Sequence, residues 1–185
     1  TDASSVGKWT LAQPSNGRSY NRQMDARPLP RNLEGSLRAA LADTPVVCLL
    51  GPRQCGKTTL ARALVPRYGY VTFDDGEVLA LARSDPNGFL AALPDPVILD
   101  EIQRRPELTM LLRVLADRRP LPCRFIVLGS ASPDLIRQAS DSLAGRIHFV
   151  DMSGFTLGEV GNEHRDPLWL RGGFPQSFLS ENDED

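Results

Sequence analysis

The sequence predicts an α/β fold, a three-layer α/β/α sandwich around a five-stranded parallel sheet. Three observations predict it. Short runs rich in apolar residues recur at 46–50, 70–75, 96–101, 124–130 and 146–152. Segments with helical spacing lie between them, which makes a chain of βαβ units. The first run, Val46-Val47-Cys48-Leu49-Leu50, is apolar throughout, as a strand covered on both faces should be.

Taken in order, residues 1–27 are rich in Ser, Asn, Gly, Gln and Arg without apolar periodicity and read as a poorly ordered arm. Trp9 and Leu11 are its candidates for docking onto the rest of the protein. Residues 32–42 read as an amphipathic helix with Asn32 as N-cap and Leu33, Leu37 and Leu41 on one face. After the strand 46–50, a helix begins at Lys57 or Thr58 and is stopped by Pro66. The second strand, 70–75, ends in Asp74-Asp75-Gly76, which is good turn chemistry. Residues 77–83 read as helical, and Asp85-Pro86 caps and restarts a helix through Leu93. The third strand spans 96–101. Pro106 opens the next helix, which turns Leu108, Leu111, Leu112 and Leu115 inward. Strand four spans 124–130, and Ser132-Pro133 caps and starts a short helix through Ala139. Strand five spans 146–152 around Phe149 and Val150, and 155–160 begins a further helix. The organisation expected is an arm over 1–27, a core over 28–160, and the start of a helical lid or a linker over 161–185 with an acidic end.

Bulk properties narrow the function. The 185 residues carry a net charge of −2 and are 41% hydrophobic. That suffices for a core without disulfide staples and makes no whole-chain case for nucleic-acid affinity. Cys48, Cys55 and Cys123 have no metal-ligand or disulfide spacing. With no apolar run of membrane-span length and no signal-peptide apolar region, these features point to the cytoplasm.

The chemistry concentrates between strand one and its helix. Gly51-Pro52-Arg53-Gln54-Cys55-Gly56-Lys57-Thr58-Thr59 fits Gly-x-x-x-x-Gly-Lys-Ser/Thr with the required flanks. Gly51 and Gly56 let the loop turn its N–H groups inward, and those groups with the helix N-terminus make a phosphate cradle. Lys57 is placed for the β- and γ-phosphates, and the Thr58 hydroxyl for Mg²⁺. A second constellation follows the apolar run 96–99, where Asp100 and Glu101 emerge at the strand's C-terminal end. Asp100 suits Mg²⁺, and Glu101 is placed to orient and deprotonate a water. A strand between these two segments and the absence of an Asn-Lys-x-Asp run favour ATP over GTP.

Other positions carry two readings each. Ser130, at the end of strand four, is either a contact to the γ-phosphate or its water, or a turn residue. Arg146, at the start of strand five, is either a clamp on the transferring phosphoryl group, in its own chain or a neighbour's, or a surface ion-pair residue. Gln103 can touch the site; Asp74 and Asp75 are read as turn residues. Arg104-Arg105 and Arg118-Arg119 are read as solvated helix ends, His148 and His164 as ordinary residues. Cys55 is read as a tolerated loop residue, with a modifiable thiol as its other reading.

The P-loop together with Ile98-Leu99-Asp100-Glu101-Ile102-Gln103-Arg104-Arg105-Pro106, Leu128-Gly129-Ser130-Ala131-Ser132, Ser142-Leu143-Ala144-Gly145-Arg146 and Leu168-Trp169-Leu170-Arg171-Gly172-Gly173-Phe174-Pro175 resembles a bacterial and archaeal AAA-domain P-loop ATPase family. The resemblance covers about residues 27 to 180. It implies a P-loop NTPase of the class with an added strand and a catalytic Glu. Lys57 and Thr58 would contact phosphate and Mg²⁺, Asp100 would ligate Mg²⁺, Glu101 would be the base and Arg146 the arginine finger or sensor. Gly-Gly-Phe-Pro is similar to the Gly-x-Pro element of signalling ATPases, which implies that Pro175 packs on adenine. Relatives continue into a helical lid and a nuclease-like C-terminal domain, so an effector domain or protein partner is expected beyond this chain, and a homo-oligomer is compatible. The expected function is Mg²⁺-dependent ATP hydrolysis driving a conformational change in an attached or partner domain. The alternatives are a nucleotide-gated interaction module with negligible turnover and a DNA-dependent ATPase.

Overall fold

The computed structural model describes residues 29–118 and 122–180. The arm read over 1–27, Arg119 and the acidic end fall outside the described residues. Five parallel strands, β1 (Val46–Leu50), β2 (Gly69–Thr72), β3 (Val97–Asp100), β4 (Phe125–Gly129) and β5 (Ile147–Asp151), form one sheet in the order β2-β3-β4-β1-β5. Val46 pairs with Phe125 on one side and Ile147 on the other, and Leu50 with Gly129 and Asp151. Thr72 pairs with Asp100. Parallel pairing puts every strand's C-terminal end at one edge.

Alternation along β1 explains why it is apolar throughout. Val46, Cys48 and Leu50 point into one layer, with Leu99, Val127, Phe73, Phe89, Leu112 and Leu135. Val47 and Leu49 point into the other, with Ile98, Ile126, Leu128, Leu37, Leu60 and Ala61. All five β1 residues are buried. Burial also pushes the Cys48 thiol up to about 12, with the Asp151 carboxylate adding to it, so Cys48 behaves as a small hydrophobe.

The helices follow their local signals with a few shifts. α1 is Glu34–Asp43, α2 Lys57–Leu64, α3 Gly76–Ser84 and α4 Pro86–Ala91. Asp85 caps α4 by accepting from the Gly88 N–H at 2.9 Å. Asp75, read as a turn residue, caps α3 by accepting from Glu77 and Val78 N–H. β2 is accordingly shorter than 70–75. Asn32 does not cap α1. Its backbone N–H donates to Glu159 Oε1 at 2.8 Å instead, and Leu33 stands at the cap position. A single 3-10 turn, Ile102–Arg104, separates β3 from α5 (Leu108–Arg118), so the helix starts later than Pro106. α6 (Pro133–Ser142) runs beyond Ala139, and Ser132 Oγ accepts from Leu135 N–H as its cap. α7 (Leu157–Val160) opens on a capping box between Thr156 and Glu159. α8 (Arg165–Arg171) and α9 (Pro175–Phe178) follow. Among the described residues no helix is long and apolar enough to cross a membrane.

Candidate nucleotide and magnesium site

The loop between β1 and α2 sits on the C-terminal edge of the sheet. Gly51 begins it, donating its N–H to Gly129 O at 3.3 Å. A Cβ on Gly51 would lie 2.1 Å from Met152 O, so only glycine lets the loop pass β5 this closely. Gln54 and Gly56 have φ of 64° and 99°, which curls the chain back on itself. Gly56 is the N-cap of α2 and has no side chain to bond the first N–H groups. The N–H groups of Lys57, Thr58 and Thr59 therefore open the helix without intrahelical partners, and its positive end suits an anion. Cys55 turns into the core and is wholly buried, which disfavours the modifiable-thiol reading; Pro52, Arg53 and Gln54 are exposed. Lys57 is buried and donates to Gly51 O at 2.9 Å and Pro52 O at 2.7 Å. Two of its three N–H bonds thus brace the loop.

β3 delivers Asp100 beside this cradle. Asp100 is 5% exposed, and both oxygens of its carboxylate accept hydrogen bonds. Thr58 Oγ1 donates to Asp100 Oδ2 at 2.7 Å, Tyr70 OH donates to the same oxygen at 2.8 Å, and the Glu101 N–H donates to Oδ1 at 2.9 Å. A buried carboxylate needs such partners. Burial raises the Tyr70 phenol well above its ordinary range and the Asp100 charge adds to this. The Arg62 guanidinium, 3.9 Å from the Tyr70 ring centroid, pulls weakly the other way.

Glu101 follows with φ 59° and ψ 39°, a left-handed conformation that a non-glycine residue adopts at a cost of about 1 kcal/mol or more. Its Oε2 accepts from Gln103 Nε2. Ser130 stands at the tip of β4, and its N–H donates to Gln103 Oε1 at 3.4 Å. Pro175 also comes to this edge: its Cγ lies 3.8 Å from where a Cβ on Gly56 would sit. Phe155 N–H donates to Gly173 O at 2.5 Å and ties that segment to the loop after β5.

Arg146 is not brought to the site. It precedes Ile147, which pairs with Val46, so it lies at the N-terminal edge of the sheet. β5 separates that edge from the cradle by roughly 16 Å at about 3.3 Å per residue. Its guanidinium pairs with Asp117 and donates to Ala144 O. The reading of Arg146 as a clamp within its own chain is therefore corrected, because parallel pairing sends the start of β5 away from the phosphate edge. Asp74 pairs with Arg104 at 2.6 Å on the surface.

Sequence reasoning did not single out two residues that shape the site, Tyr70 and Arg31. Arg31 is 7% exposed. It donates to Cys55 O at 3.1 Å, to Ser153 O at 2.6 Å and to Gly154 O at 3.2 Å, and pairs with Glu159 at 3.0 Å. It thereby fastens the phosphate loop to the segment after β5. Thr156-x-x-Glu159 was a readable capping-box signal; no local pattern marks Arg31.

The donor set fits magnesium. Thr58 and Asp100 supply hard oxygens side by side, and among the described residues no group of three or more His, Cys, Asp or Glu could cage a metal. One carboxylate and one hydroxyl, completed by phosphate oxygens and water, is how Mg²⁺ is held.

Comparisons with known proteins bear on the family and the fold. The AAA domain family matches residues 43–161. Two uncharacterised mycobacterial proteins, from Mycobacterium tuberculosis and Mycobacterium bovis, are each 49% identical over 156 residues. The match covers 84% of this chain and 35% of each relative, so the chain spans about a third of their length. Among solved structures, a signal transduction ATPase with numerous domains and a tetratricopeptide repeat sensor, from Pyrococcus horikoshii, superposes with a TM-score of 0.52 at 14% identity. That match covers 80% of this chain and 29% of the other, and it shows a shared fold.

Proposed function

Because this chain belongs to the AAA domain family, we propose that it binds ATP with Mg²⁺ and hydrolyses it, using the energy to change the conformation of an attached domain or partner. The observation that carries the reading is the 2.7 Å bond from Thr58 Oγ1 to Asp100 Oδ2. It joins the start of the P-loop helix to the tip of β3, so a phosphate cradle and a pair of acids meet at one point.

In this reading the loop amides from Arg53 to Thr59 and the Lys57 ammonium hold the phosphates. Thr58 and Asp100 would hold magnesium, which when bound would shield the phosphate charge. Glu101 holds a water in line with the γ-phosphorus and takes its proton. The water oxygen bonds to phosphorus as the bond to the β-γ bridging oxygen breaks, and that oxygen leaves with the electron pair on ADP. The Ser130 hydroxyl is assigned to the γ-phosphate or the water, and Pro175 to the adenine side. The effector lies in the remaining length that the mycobacterial relatives possess.

Calorimetry with Mg·ATP and steady-state phosphate release test this. Heat of binding with turnover that Glu101→Gln lowers at least 100-fold, binding retained, is the expected result. Binding without turnover, alone or with full-length protein, would leave a nucleotide-gated module; absence of binding would remove the whole reading.

A further inference from the structure

Gln103, on the 3-10 turn that follows β3, is a polar side chain at this edge without a role so far. Its carboxamide lies between Glu101 and Ser130. We infer that Gln103 is a positioning residue for hydrolysis, a clamp that fixes the Glu101 carboxylate against the tip of β4; this rests on the hydrolytic reading above.

The orientation of the amide follows from the network. The Ser130 N–H is only a donor, so the oxygen of Gln103 must face it, at 3.4 Å. Nε2 then points the other way, where Glu101 Oε2 accepts from it. Both ends of the amide are used in the only sense that pairs donors with acceptors. The scaffold around it is stiff. Ile102, wholly buried, anchors the 3-10 turn carrying Gln103, and Arg104 N–H donates to Glu101 O at 3.0 Å. Gly129 makes the room: a Cβ there would lie 2.9 Å from Gln103 Oε1.

A glutamate is among the side chains that lose most rotamer freedom when fixed. Glu101 stands on a strained backbone at a strand tip, where its carboxylate would otherwise swing among rotamers. With Oε2 held by Gln103, Oε1 is the oxygen left for water. Fixing the base before the substrate arrives is the kind of positioning that raises turnover while leaving ground-state binding alone.

The test measures kcat, KM and the Mg·ATP dissociation constant for the wild-type chain, Gln103→Ala, Gln103→Met and Gln103→Glu. Met keeps the length and drops both hydrogen bonds, and covers the case in which the alanine variant does not fold. Glu keeps an acceptor for Ser130 but turns a second acceptor towards Glu101. All three are expected to lose 10- to 100-fold in kcat with nucleotide affinity within about twofold of wild type. A kcat within twofold of wild type for Gln103→Met and Gln103→Glu overturns the inference, and so does a parallel loss of affinity, which marks general disruption. A wild-type chain that binds but does not turn over overturns the hydrolytic reading and this inference with it. A wild type that turns over beside unaffected variants overturns the inference alone.

Discussion

Arg31 and Glu159, 128 positions apart, form a 3.0 Å ion pair with side chains only 5% and 3% exposed. The pair lies beside the phosphate loop, because the same guanidinium holds Cys55 O. Glu159 also accepts from the N–H groups of Asn32 and Thr156. One carboxylate thus joins the segment before α1, the capping box of α7 and, through Arg31, the P-loop.

Those contacts set a pH dependence. Burial alone would raise the Glu159 carboxyl, but the Thr156 and Asn32 N–H groups and the Arg31 guanidinium more than offset it and hold it below its ordinary 4.5. A carboxyl lowered on folding contributes stability that is fully present above 4.5 and lost as pH falls through the folded value. Glu159→Gln is expected to cost about 1–3 kcal/mol at neutral pH by leaving an N–H facing an amide. Thermal melts from pH 7 downward check this: the gap between wild type and variant should stay constant to about pH 5 and then close.

Tyr70→Phe tests the support of Asp100. The variant keeps the ring under Arg62 and removes one of the two hydroxyl donors to Oδ2. A loss of about 1.5 kcal/mol is expected, as for a hydrogen bond to a charged group. Because the Tyr70 phenol is raised, by burial first and the Asp100 charge second, its contribution is complete below its ordinary 10.0 and is lost as pH rises through the folded value. Phenolate absorbance in an alkaline titration should lose a late component in the variant; an unchanged late component would contradict the placement of Tyr70.

How much of this was legible depends on range. β1, the cradle and Asp100-Glu101 could be read because each is a local pattern: an apolar run, glycines at fixed spacing, acids after a strand. The Asp85 and Ser132 caps were read for the same reason. Arg31 and Tyr70 were not, since their hydrogen-bond partners stand 24 to 128 and 30 positions away. Asn32 was assigned to the nearest helix end, while its backbone is claimed by an acid on α7. The place of Arg146 depends on strand direction rather than on its neighbours in sequence.

Two glycines make a contrast. Gly51→Ala would put its methyl 2.1 Å from Met152 O, a backbone atom. Something must move, so a loss of about 1–3 kcal/mol and much weaker Mg·ATP binding are expected. Gly35, in α1, has nothing within 4 Å of its would-be Cβ. Gly35→Ala is expected to gain about 0.5–1 kcal/mol. Denaturant midpoints and calorimetry with Mg·ATP read both, and a Gly51→Ala chain with full affinity would refute the close approach at Met152.

Arg146 separates a contribution within one chain from one between chains. Its guanidinium is anchored to Asp117 at the N-terminal edge, a pairing that holds the exposed Asp117 carboxyl below its ordinary range. No rotamer carries it across the sheet to Lys57. Arg146→Ala is therefore expected to leave the Mg·ATP dissociation constant within about twofold, and turnover of the dilute, single chain unchanged. If turnover per chain rises with protein concentration in the wild type, and this rise alone is lost in Arg146→Ala, a neighbouring copy presents the arginine. A variant whose affinity falls tenfold at every concentration would mean that the two edges communicate in a way the strand register does not allow.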